Sequence, residues 1–128
     1  MAKKILIVED EANIVKLITS RLKANNYDVV VAYDGLYAVR EAHEKKPDLI
    51  ILDIKMPAGS GISVFENLKM TGDTMMIPII FITAHATDEL RKQALAMGAA
   101  DFIVKPFDAE ELLTKVKRVL GEEKQQAP

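Results

Sequence analysis

Short uninterrupted apolar runs alternate along this chain with longer stretches in which apolar residues recur every three or four positions. The runs are Ile5–Val8, Val29–Ala32, Leu49–Leu52, Ile79–Thr83 and Phe102–Val104. They are rich in Ile, Val and Leu and too short for helices, so they predict buried strands. Between them, Ile14, Leu17, Ile18 and Leu22 form one helical stripe, and Ala38, Val39 and Ala42 a shorter one. Ile62, Phe65 and Leu68, then Leu90, Ala94 and Met97, then Leu112, Leu113, Val116, Val119 and Leu120 complete the set. The punctuation agrees. Asn25-Asn26, Gly98 and Gly121 follow helical stripes, where a left-handed cap is wanted. Asp108 with Glu111 has capping-box spacing. Pro47 and Pro78 sit just ahead of strands, where a missing N–H is tolerated.

Five strands alternating with five helices predict an α/β fold: a three-layer, doubly wound (βα)5 unit whose parallel sheet is covered on both faces, because each right-handed crossover needs a helix. Strands that are apolar throughout, rather than alternating, say the same. In such open sheets the ligand site lies at the carboxyl ends of the strands. The residues that end each strand are therefore the ones to read for chemistry.

At 128 residues the chain has the length of one domain and can bury a core without staples. It has no Cys, which excludes disulfides and thiolate zinc sites. The balance of 17 basic and 19 acidic residues gives a net charge of −2, with no overall pull toward nucleic acid or anionic membrane. No apolar run approaches a bilayer span and the amino terminus does not read as a signal peptide, so a soluble cytoplasmic protein is expected. Residues 1–121 read as the domain and residues 122–128 as a polar tail or the start of a linker.

The first strand ends in Glu9-Asp10-Glu11, the third in Asp53, the fourth in Thr83 and the fifth in Lys105-Pro106. Taken singly, Asp10 or Glu11 also reads as a helix cap, Thr83 as a β-branched strand residue and Lys105 as a solvated charge. Asp53 follows Leu49-Ile50-Ile51-Leu52 at the rim of the core, and helical patterning resumes only near Gly61, so it is no N-cap. If the first and third strands are neighbours, Asp10 and Asp53 face each other, and carboxylates that close repel unless a cation intervenes. A hard divalent ion with oxygen ligands is the natural solution, and few protein ligands favour Mg²⁺ over Ca²⁺. Thr83 and Lys105 would then stabilise an oxyanion. An acid nucleophile, a cation and positioned donors suit phosphoryl transfer to a carboxylate.

Here the sequence resembles the receiver domains of bacterial two-component response regulators, over Lys4 to Leu120. The likeness rests on Val8-Glu9-Asp10-Glu11, on Leu52-Asp53-Ile54-Lys55-Met56-Pro57 with Gly61 behind it, on Thr83-Ala84, and on Gly98-Ala99-Ala100-Asp101-Phe102-Ile103-Val104-Lys105-Pro106-Phe107. It implies the flavodoxin-like strand order 2-1-3-4-5, as in chemotaxis-type receivers. Asp53 would be the phosphoacceptor, served by a sensor histidine kinase or phosphotransfer protein. Asp10, Asp53 and the backbone carbonyl of Lys55 would ligate Mg²⁺ (or Mn²⁺), with Glu9 acting through a water. Lys105 and Thr83 would bind the phosphoryl group, Ala84 would leave it room, and the Lys105–Pro106 bond would be cis. On phosphorylation Thr83 would move and Phe102 turn inward, remodelling the face of the fourth helix, fifth strand and fifth helix for a downstream effector.

Arg91, Asp101, Glu111, Lys115 and Lys117 fall on that face, where they can support a phosphorylation-dependent homodimer. Lys55 and His85, each two residues beyond a site residue, are expected to modulate hydrolysis of the adduct, whereas His43, among Glu41, Glu44 and Lys45, reads as solvent-facing. The implied role is a switch that phosphorylates and dephosphorylates itself, not a metabolic enzyme. A haloacid-dehalogenase-like phosphatase would want an Asp where Lys55 stands. A flavin carrier would want a Gly- and hydroxyl-rich loop where Glu9-Asp10-Glu11 stands. A degenerate receiver would be expected to lack some of Asp10, Asp53, Thr83 or Lys105. No helix carries a basic recognition face, so direct nucleic-acid contact is not expected.

Overall fold

The computed structural model describes residues 2–55 and 60–122. Met56 and Pro57 of the third-strand motif, and the expected tail apart from Glu122, lie outside the described residues. The elements run β1 (Lys4–Val8), α1 (Ala12–Ala24), β2 (Asp28–Ala32), α2 (Gly35–Lys45), β3 (Leu49–Asp53), α3 (Gly61–Lys69), β4 (Ile79–Thr83), α4 (Asp88–Ala96), β5 (Asp101–Val104) and α5 (Ala109–Val119). All strand pairs are parallel, and the order is β2-β1-β3-β4-β5.

The apolar runs are continuous because both sheet faces are covered. Leu6, Val8, Ile50, Leu52, Phe81 and Phe102 point toward α2, α3 and α4, where Ala38, Ala42, Val64, Phe65, Leu68 and Ala94 meet them. Their alternates Ile5, Ile7, Leu49, Ile51, Ile80, Ile82 and Ile103 point toward Ile18 and Leu22 of α1 and Leu112, Leu113 and Val116 of α5. The edges depart from this: β2 is only half-buried, and Val104 at the end of β5 is exposed. An edge strand has a neighbour on one side only, so its ends stay open to water.

Helix boundaries follow side-chain caps. The hydroxyls of Ser60 and Thr87 accept from the backbone N–H of Ser63 and Leu90, and the carboxylate of Asp34 from that of Tyr37. Asp108 caps α5 but accepts from Glu110 N rather than closing the expected box; the Glu111 carboxylate pairs instead with Lys115 at 3.5 Å. Asn26, Gly98 and Gly121 take positive φ, and so does Lys46, which nothing in its residue type signals. In α1 the buried line is Val15, Ile18 and Leu22, whereas Leu17 is 43 % exposed; it sits about 100° of helical turn from Ile18, off the narrow face the sheet covers. His43 is not simply solvated: Nδ1 lies 3.0 Å from the Asp73 carboxylate. At the opposite pole from the site, the Tyr27 hydroxyl donates to Glu122 Oε1 at 2.6 Å, anchoring the chain just past α5.

Gly61 is the residue that lets α3 start directly behind Asp53. Its N–H donates to Ile54 O at 2.7 Å, and a Cβ there would come within 2.7 Å of Ile54 Cα and closer still to the carbonyl oxygen of Asp53. Backbone cannot yield as a flexible side chain can. Gly61→Ala is therefore expected to lower stability by about 3 kcal/mol, read as a shift of the urea midpoint at unchanged slope.

Candidate functional site

The strand register assembles the site. Val8 pairs with Leu52, so the residues just beyond them, Glu9 and Asp53, share the carboxyl rim. Asp53 is opposite Ile82 and Thr83 opposite Val104, which brings the hydroxyl and Lys105 to the same rim from the other side. Asp53 closes β3 at 3 % exposure, Glu9 and Thr83 are buried, and Asp10 is exposed. Carboxylate oxygens of Glu9, Asp10 and Asp53 all lie within 4.8 Å of one another.

One cation ties Glu9 and Asp53 together, along with Glu11. The Lys105 ammonium is 2.6 Å from Glu9 Oε1, 3.1 Å from Asp53 Oδ2 and 3.3 Å from Glu11 Oε1. The contacts to Asp53 and Glu11 are aligned hydrogen bonds. The approach to Glu9 is close but bent, an ion pair that leaves Oε1 buried with no aligned donor. Backbone donors complete the set: Glu11 N–H donates to Glu9 Oε2 and Lys55 N–H to Asp53 Oδ1, each at 3.1 Å. The Thr83 hydroxyl accepts from His85 N–H at 3.2 Å.

Electrostatics follows from burial and crowding. Burial pushes Glu9 up to about 7; Lys105 and the Glu11 amide pull against it, and the Asp53 charge adds to it. Burial works against the Lys105 ammonium, but Glu9 and Asp53 outweigh it and hold Lys105 above the ordinary lysine range. More negative than positive groups are thus packed at one rim. Three convergent carboxylates, two of them buried and sharing a single ammonium, are a donor set that fits a hard divalent ion.

The other expected residues fall as follows. Ala84, His85 and the Lys55 side chain are exposed beside the rim. The Lys105–Pro106 peptide is cis. Phe102 is buried at 2 % exposure, packed in the core that contains Phe81 and Ala94. Direct contact of Glu9 and Glu11 with Lys105 was not read from the sequence; the only signal was three acids in a row.

Glu9 supplies a pH dependence. Its pKa is higher folded than unfolded, so the folded state favours the protonated acid. Its contribution to stability is fully present below about 4.5 and is lost as pH rises to about 7. In metal-free buffer, wild type should lose about 2 kcal/mol of stability relative to Glu9→Gln between those limits, measured by urea unfolding at each pH.

The family model for the response regulator receiver domain matches residues 5–117. The chain is 42 % identical over 120 residues to the phosphate regulon transcriptional regulatory protein PhoB of Escherichia coli K12, covering 94 % of this chain and 52 % of that one. It thus spans about half the length of the curated relatives it matches. The signal receiver domain of a LuxO repressor protein from Vibrio parahaemolyticus superimposes with a TM-score of 0.89 at 31 % identity, covering 94 % of this chain and 92 % of that one. The receiver domain of the sensor histidine kinase PA1611 from Pseudomonas aeruginosa, solved with magnesium in its active-site cleft, gives a TM-score of 0.86 at 31 % identity, covering 94 % of this chain and 99 % of that one. Fold, site and sequence agree: the chain belongs to the response regulator receiver domain family.

Proposed function

We propose that Asp53 accepts a phosphoryl group from the phosphohistidine of a partner kinase or phosphotransfer protein, with Mg²⁺ held at the rim, and that the chain thereby works as a two-component signalling switch. One observation carries the reading. A nearly buried carboxylate stands at the sheet rim 3.1 Å from an ammonium and within 4.8 Å of two further acids able to share a metal. Asp10, Asp53, the Lys55 carbonyl and, through water, Glu9 would hold the ion. When bound, it neutralises the phosphoryl oxygens and the crowded carboxylates.

The chemistry of the chain's own groups follows. A carboxylate oxygen of Asp53 forms a bond to phosphorus as the phosphorus–nitrogen bond to imidazole breaks, and the electron pair leaves with the imidazole. Lys105 offers N–H donors to the phosphoryl oxygens, and the Thr83 hydroxyl, at the same rim and held by the His85 amide, turns to do the same. Ala84 leaves space for those oxygens. Movement of Thr83, with Phe102 packing behind it, would alter the α4-β5-α5 face offered to an effector. On that face Lys115 is tied internally to Asp101 at 3.6 Å and Glu111 at 3.5 Å and donates to Phe102 O at 2.9 Å. A phosphorylation-dependent dimer through these residues and Arg91 and Lys117 would have to exchange those bonds for intermolecular ones.

Incubated with acetyl phosphate and Mg²⁺, the protein should gain one phosphoryl adduct by intact mass spectrometry. EDTA or Asp53→Asn should abolish it, and Lys105→Met should slow it by about 10²-fold. Continuous turnover of phosphoesters would identify a phosphatase instead. Lys55 and His85 flank the rim, where a side chain can steer or exclude the attacking water. Lys55→Ala and His85→Ala are each expected to change the dephosphorylation rate by about threefold; identical decay curves would remove both from the mechanism.

A further inference from the structure

We infer that Glu11 is a positioning residue: it tethers the Lys105 ammonium in the resting state and yields it when a phosphoryl group arrives. The inference deepens the reading just given and rests on it. An ammonium has three N–H donors, and here three carboxylates surround it, leaving none for a newcomer. Only two contacts are aligned hydrogen bonds, to Asp53 and to Glu11. Glu11 therefore occupies one of the two donors that are well used, while the nearer Glu9 Oε1 goes without an aligned one.

The backbone position of Glu11 makes the contact informative. Glu11 is the N-cap of α1, with φ −80° and ψ 112°, yet its side chain makes no capping bond. Caps are normally Ser, Thr, Asp or Asn, whose short side chains reach the free N–H groups of the first turn. A Glu there leaves its carboxylate available, and it is turned across the rim to a residue 94 positions away. The two buried partners of Lys105 cannot let go without leaving a buried charge unpaired, which is costly. The Glu11 side chain is 60 % exposed and its bond is the longer of the two aligned ones, so water can replace Lys105 at little cost. It is the contact that can open. Opening it gives Lys105 a donor for an incoming phosphoryl oxygen while its contacts to Glu9 and Asp53 are still in place.

Three variants test this: Glu11→Ala, Glu11→Gln, which keeps an uncharged acceptor, and Glu11→Ala combined with Lys105→Met. In the metal-free protein, with ¹⁵N-labelled lysine, proton exchange between the Lys105 ammonium and water should quicken about three- to tenfold in Glu11→Ala and less in Glu11→Gln. Phosphorylation by acetyl phosphate and Mg²⁺ should quicken about three- to tenfold in Glu11→Ala, again less in Glu11→Gln. The gain should vanish in the Lys105→Met background, where there is nothing to tether. Unchanged ammonium exchange would overturn the inference. So would a rate gain that persists without Lys105, because Glu11 would then act only as a charge repelling the anionic donor. If wild type takes up no phosphoryl group at all, the proposed function fails, while the exchange measurement still decides whether the tether exists.

Discussion

The Lys105 ammonium, shared among Glu9, Glu11 and Asp53, is the interaction on which this molecule turns. Without a cation, buried carboxylates at one rim would repel one another or take up protons. Lys105 neutralises only part of that charge, and the residue is a site that welcomes a second cation. Surplus negative charge, wasteful for stability, is what would attract a divalent ion, whose charge would in turn admit an anionic phosphoryl group. Stability and function pull against each other here, as they do at many active sites.

The fold's part is to place the ends of β1, β3, β4 and β5 on one line. A parallel sheet sends every strand the same way, so all its carboxyl ends face one side. Putting β1 beside β3 sets Glu9 next to Asp53, and β4 beside β5 carries Thr83 and Lys105 to the same edge. The core makes this placement stiff. Side chains from five strands interdigitate with helices on both faces, and a one-residue slip in any strand would invert which residues face which layer. Gly61 completes the frame by letting α3 begin against the backbone of Asp53.

Phe102 packs into the core behind the site. Phe102 has no hydroxyl to satisfy, so burial against the core that holds Phe81 and Ala94 costs it nothing polar. Its carbonyl accepts from Lys115 of α5, which links β5 to the helix beside it. The aromatic packs in the core, while the Thr83 hydroxyl at the rim is held by the His85 amide.

The sequence by itself determined the alternation of strands and helices, the two-sided burial of the sheet and the identity of the rim residues. These are local properties: an apolar run such as Leu49–Leu52 or a stripe such as Leu112, Leu113 and Val116 carries its own instruction. Less local features escaped it. Leu17 looked as apolar as its neighbours, and only the width of the covered face left it outside while Val15 went in. Lys46 adopts a left-handed conformation that its residue type does not announce. Glu11 offered a choice between cap and site, and only the packing of β5 across the rim, 94 residues away, brought Lys105 within reach. Periodicity records which way a residue faces. The strength and partners of a charge depend on what the rest of the chain brings beside it, and that is settled only when the sheet closes.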